Sequence, residues 1–83
     1  MPNKTDVLRQ IAECDELGEA AFLQKYANGR GSITTWIDYS GKRYPIKAIW
    51  ASAHSPNVVT TSFKTNDAEP ELKRLGFQVI KRP

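Results

Sequence analysis

The chain has one cysteine, Cys14, and one histidine, His54, and that scarcity removes several function classes at once. A lone cysteine forms no internal disulfide, and with a single histidine beside it there is no ligand set for a zinc ion. A disulfide scaffold and a zinc finger are therefore excluded, and no metal is expected. Long apolar runs are missing too: Met-Pro-Asn-Lys-Thr-Asp at the N-terminus leads into no apolar stretch, and the longest early apolar run is Ala20 to Leu23. No secretory signal and no membrane span are expected, and the default location is a reducing, cytoplasmic one. At 83 residues and 9.3 kDa there is material for one domain over residues 1–83. A domain this small buries about 60% of the surface of its unfolded chain, which leaves few large apolar side chains for a deep pocket.

What is present is an ordinary globular composition, 40% hydrophobic and 25% charged with a mean hydropathy of −0.52, too apolar for a disordered tail. The formal net charge of +3 is small, but its distribution is uneven. Met1 to Phe22 carries Lys4 and Arg9 against Asp6, Glu13, Asp15, Glu16 and Glu19, a net of −3. Leu23 to Asn66 carries Lys25, Arg30, Lys42, Arg43, Lys47 and Lys64 against Asp38 alone, a net of +5. An acidic segment followed by a basic one implies a polar molecule with one anion-attracting face, unless the cations are scattered over a solvated surface.

Hydrophobic periodicity gives the elements. Thr5 to Leu17 is an amphipathic helix, with Thr5 or Asp6 placed to cap its start and Gly18 at its end. A second helix runs from about Glu19 to Tyr26, with Phe22, Leu23 and Tyr26 inward, until Asn28 to Ser32 breaks it. Ile33 to Tyr39 alternates as a strand, with Ile33, Thr35, Ile37 and Tyr39 on one face and Thr34, Trp36 and Asp38 on the other. Ser40-Gly41-Lys42 turns the chain into a returning strand at Lys42-Arg43-Tyr44. Pro45 suits a helical first turn, and Ile46, Ile49, Trp50 and Ala53 form one buried stripe behind it. Val58 to Phe63 reads as a strand or an extended loop. Asn66 and Glu69 resemble a capping pair, Pro70 belongs in a first turn, Leu72 and Leu75 face inward, Gly76 stops the helix, and Phe77 to Ile80 is a last strand. The fold class is a single α+β domain in the order α-α-β-β-α-α-β, with a β-hairpin and packed helices.

Catalysis finds little support in this pattern. Cys14 lies on the apolar side of a helix as a small core residue, His54 suits a helix end, and the N-terminal carboxylates are solvated helix charges. Gly29 to Ser32 leads into a strand and lacks the spacing and lysine of a phosphate loop. No catalytic residue and no cofactor are expected.

Nucleic-acid binding needs cations for phosphates beside aromatic or polar groups for bases, and the middle of the chain interleaves them. Arg30, Lys42, Arg43, Lys47 and Lys64 are the candidate phosphate contacts, and Trp36 or Tyr39 the candidate stacking group; the two lie on opposite strand faces, so only one of them can be core. Tyr44 is either part of this surface or part of the core, and Trp50, on the buried stripe, reads as core. The competing function is a protein-interaction module, an inhibitor or adaptor whose acidic first helix or exposed aromatics meet a protein.

The run Gly41-Lys-Arg-Tyr-Pro-Ile-Lys-Ala-Ile-Trp-Ala51, with Phe63 and Leu72-Lys-Arg-Leu-Gly-Phe-Gln-Val79 after it, resembles the N-terminal head domain of McrA-type modification-dependent HNH endonucleases. There, Gly-x-x-Tyr-Pro-x-Lys-Ala precedes a distal Leu-Gly-Phe. The resemblance covers Trp36 to Val79. It implies a DNA-associated accessory domain of a restriction or defence system that reads modified DNA, with duplex DNA favoured over single strands as partner. Carried over, Tyr44 and Lys47 are the matching positions of interest. The chain departs from the multidomain pattern in having no HNH motif, so it implies either a reader without cleavage or a phage or mobile-element protein that has turned the fold to a host protein.

Overall fold

A computed structural model describes residues 2–29, 35–54 and 63–81. They form helices α1 (Lys4–Leu17) and α2 (Glu19–Ala27), strands β1 (Thr35–Tyr39) and β2 (Lys42–Pro45), helices α3 (Ile46–Ala53) and α4 (Thr65–Arg74), and strand β3 (Gln78–Lys81). This is the predicted α+β class and element order. Ile33 and Thr34 of the predicted strand, and Val58 to Ser62 of the predicted extended segment, lie outside the described residues.

Helix α1 starts earlier than the sequence suggests. Its N-cap is Asn3, whose side chain accepts the Asp6 N–H at 2.9 Å while the Asp6 carboxylate accepts the Asn3 N–H at 3.0 Å. Each partner thereby satisfies one of the orphan donors of the first turn. Thr5 and Asp6, the caps expected from sequence, are already helical. Gly18 alone separates α1 from α2 at φ 88 and ψ 152, a backbone region that only glycine enters without strain. Across that corner Glu13 accepts from Lys25 Nζ at 2.9 Å and from the Tyr26 hydroxyl at 2.7 Å. Burial raises the Glu13 carboxyl, but these two donors outweigh it and leave its pKa lowered.

Helix α3 is the centre of the molecule. Ile46, Ala48, Ile49, Trp50, Ala51, Ser52 and Ala53 are all buried, so the single stripe expected from spacing is instead burial around nearly the whole helix. It packs against α1, α2, α4 and the sheet, and a helix enclosed in this way needs small side chains where its neighbours approach. Pro45 precedes it as N-cap and as the last residue of β2, one position earlier than the predicted first turn. Proline is tolerated there because β2 is an edge strand in the order β2-β1-β3.

In α4 the acceptor for the Lys64 N–H is the Asp67 carboxylate at 2.9 Å, so Asp67 takes the role that spacing gave to Glu69. Glu69 is buried instead, bound to Lys73 at 2.9 Å and to Lys81 at 3.2 Å. Pro70 falls in the second helical turn and not the first, so the Asn66 carbonyl loses its helical partner at an exposed position.

Candidate nucleic-acid interface

Ser40 and Gly41 form a two-residue hairpin loop with φ 54 and φ 81, a primed turn whose twist matches its strands. It fixes the β1–β2 register as Trp36↔Pro45, Ile37↔Tyr44, Asp38↔Arg43 and Tyr39↔Lys42. On its other side β1 pairs with β3 as Thr35↔Lys81, Trp36↔Ile80, Ile37↔Val79 and Asp38↔Gln78. Opposed residues of an antiparallel pair share a face, and successive residues alternate. The register therefore sorts every candidate residue of the strands. Ile37, Tyr44 and Val79 are on the inner face, with Thr35, Tyr39, Lys42 and Lys81 at its ends. Trp36, Asp38, Arg43, Pro45, Gln78 and Ile80 are on the outer face.

On the inner face polar groups are engaged by helices. Tyr44 is 4% exposed, and its hydroxyl donates to the Asp15 carboxylate at 2.8 and 3.0 Å. Burial first, and then the neighbouring Asp15 charge, push the Tyr44 hydroxyl up to about 12. Of its two readings from sequence, Tyr44 takes the core one: it supports the hairpin from beneath and offers no stacking face. Lys42 Nζ is 3.6 Å from the same Asp15 carboxylate, and Lys81 meets Glu69 of α4. The Lys73 ammonium, and with it Lys81, holds the Glu69 carboxyl below its ordinary value despite burial. Tyr39 is 39% exposed at the inner-face rim, its ring 6.1 Å from that of Phe77.

The outer face differs. The Arg43 guanidinium lies over the half-buried Trp36 ring, 5.8 Å from its centroid, and makes no hydrogen bond or ion pair among the described residues. Asp38, directly opposite Arg43, and Gln78, on the far side of Asp38, are likewise without a polar partner among the described residues. Just past Pro45, Lys47 Nζ stands 5.5 Å from the Phe63 ring centroid, and Lys64 is exposed next to Phe63 in the chain. The structure thus places Trp36 and Arg43 together, Lys47 and Lys64 beside Phe63, and Lys42 and Tyr39 on the other face. Arg30 lies outside the described residues.

Sequence reasoning gave Asp15 no specific role. Its contact with Tyr44 spans 29 positions, so no local pattern announces it. Asp15 also lines a groove of about 530 Å³ between the α1–α2 corner and the hairpin, with Asp15 and Glu19 on one wall and Lys42 and Arg43 on the other. Cys14 faces this groove but is buried, and desolvation followed by the charges of Glu19, Asp15 and Glu13 pushes its thiol up to about 11, the opposite of an activated nucleophile.

Residues 3–81 match the family model described as ScoMcrA-like, N-terminal head domain. The chain belongs to that family. Among solved structures this head domain is similar to the Type IV phosphorothioation-dependent restriction endonuclease ScoMcrA, with a TM-score of 0.75 and 27% sequence identity over 99% of the present chain. It spans 13% of the length of that protein. No curated protein matches it in sequence. None of the described helices is long and apolar enough to cross a membrane.

Proposed function

We propose that this head domain is a non-catalytic, DNA-binding accessory module acting in modification-dependent restriction, with duplex DNA as its main partner. The observation that carries the proposal is the contrast in cation pairing across the sheet. Lys42 and Lys81, on the inner face, are paired with Asp15 and Glu69, whereas Arg43 is held on Trp36 with its N–H groups unspent among the described residues. An arginine so placed is prepared to meet a phosphate or a base edge without first breaking an ion pair. Lys47 and Lys64 extend the positive charge beyond the Pro45 turn. Membership of a head-domain family whose solved relative is a restriction endonuclease supports the DNA context. The raised thiol of Cys14 supports a binding role over a catalytic one.

The test is a titration against duplex DNA over a range of salt concentrations. Three phosphate contacts from Arg43, Lys47 and Lys64 give a slope of log K against log salt of roughly −3. A slope near zero, or no binding at low salt, overturns the proposal and favours the protein-interaction alternative.

A further inference from the structure

We infer that the outer sheet face is a binding site for one unstacked base carrying an exocyclic amino group; this deepens the DNA-binding reading and depends on it. The strand register lays two parallel rows across that face. One is apolar, the half-buried Trp36 and Ile80 with the fully buried Pro45 at its end; the other is polar, Arg43, Asp38 and Gln78. Neighbouring strands are about 4.8 Å apart, and residues two apart along a strand are separated by about 6.7 Å. The rows therefore lie close enough for a ring resting against Trp36 and Ile80 to direct its hydrogen-bonding edge to Asp38.

The chemistry of the polar row selects the edge. An ionised Asp38 only accepts hydrogen bonds, Arg43 only donates them, and Gln78 does both. A carboxylate flanked by a guanidinium complements a base that presents an amino donor next to a ring acceptor, as cytosine does. Thymine offers a carbonyl where cytosine has its amino group, and that carbonyl opposes the Asp38 carboxylate. Asp38 is also the single carboxylate between Leu23 and Asn66. In a surface serving phosphates alone it is an electrostatic liability, whereas in a surface reading an amino group it is the required acceptor. The Arg43 guanidinium over Trp36 adds a second planar group, beside the indole, on which a base stacks.

The experiment uses the full chain and reads quenching of tryptophan fluorescence by short single strands of oligodeoxycytidine and oligothymidine, above neutral pH and at low salt. Trp50 is 5% exposed, so quenching reports Trp36. Oligodeoxycytidine is expected to bind about tenfold more tightly than oligothymidine. Asp38→Asn is expected to weaken the cytidine strand and tighten the thymidine strand, because it exchanges a charged, acceptor-only carboxylate for a neutral amide whose NH2 can donate to the thymine carbonyl. Equal affinity of the wild-type chain for the two strands overturns the base site and leaves the DNA-binding reading standing. Tightening of both strands by Asp38→Asn reduces Asp38 to a plain charge and overturns it as well. Failure to bind duplex and single strands alike overturns both readings.

Discussion

The two faces of the sheet are made by the same three strands, yet their polar groups are engaged differently. Inside, Ile37 is fully buried, Tyr44 is tied to Asp15, and the cations at the margins meet carboxylates from α1 and α4. Outside, Trp36 is half-buried beneath the Arg43 guanidinium, and Arg43, Asp38 and Gln78 have no polar side-chain partner among the described residues. Strand parity, more than residue type, decides which lysine or arginine of the sheet meets a carboxylate and which has none among the described residues. Lys42 and Arg43 are chain neighbours of similar charge, and the register sends them to opposite fates.

The sharpest separation comes from truncating one residue on each face. Ile37→Ala is expected to lower unfolding stability by about 2–5 kcal/mol, because the enclosed site cannot collapse around the missing methylenes. Trp36→Ala is expected to cost no more than about 1.5 kcal/mol for its half-buried ring while weakening DNA binding. Urea unfolding of both variants beside a DNA titration checks this, and an equal loss of stability would erase the distinction between the faces.

Charge reversal on the neighbouring cations comes next. Arg43→Glu is expected to weaken duplex binding about tenfold at low salt, and Lys42→Glu only about threefold, since Asp15 already screens Lys42. Reversed ranking in the same titration would move the interface to the groove side of the hairpin.

A smaller effect belongs to the inner-face hydroxyl. Tyr44→Phe is expected to cost about 1 kcal/mol through loss of the bond to Asp15. It also removes a pH dependence. Tyr44 is raised from an ordinary value of 10.0 to about 12 in the fold, so its contribution is fully present below the unfolded value and disappears as pH rises through the folded one. Alkaline stability curves of the two proteins should converge across that window.

The smallest effect is at the hairpin turn. Ser40 adopts φ 54, a conformation asparagine tolerates better, and Ser40→Asn is expected to add about 0.5 kcal/mol. Its melting curve tests whether the loop holds the register, since a slip of one residue would exchange the two faces entirely.

Much of this architecture was legible in the sequence because alternation and helical spacing are local. Ile37 and Trp36 fell on opposite faces by parity alone, and Gly18 marked the end of α1 correctly. The errors have physical causes. Alanine is nearly neutral in any hydrophobic pattern, so Ala48 and Ala51 gave no sign that α3 is enclosed on almost every side. Asn3 caps α1 through a reciprocal bond with Asp6, whereas Thr5 and Asp6 match the cap preference equally well by residue type alone. Glu69 resembled a cap partner by spacing, yet its lysine partners include Lys81, a strand away. The site was half legible: Arg43 and Trp36 were named among the candidates, but only the pairing of Lys42 with Asp15, and of Tyr44 with the same carboxylate, separates the residues that hold the hairpin from those that face outward.

The central claim, that nucleic acid meets the outer face, is tested most directly by mapping backbone amide shifts during a titration with duplex DNA at low salt. The account predicts perturbations concentrated at Trp36, Asp38, Arg43 and Gln78 and extending to Lys47 and Lys64, with α1 quiet. Perturbations concentrated on α1 and the groove beside Asp15 and Glu19 would contradict it.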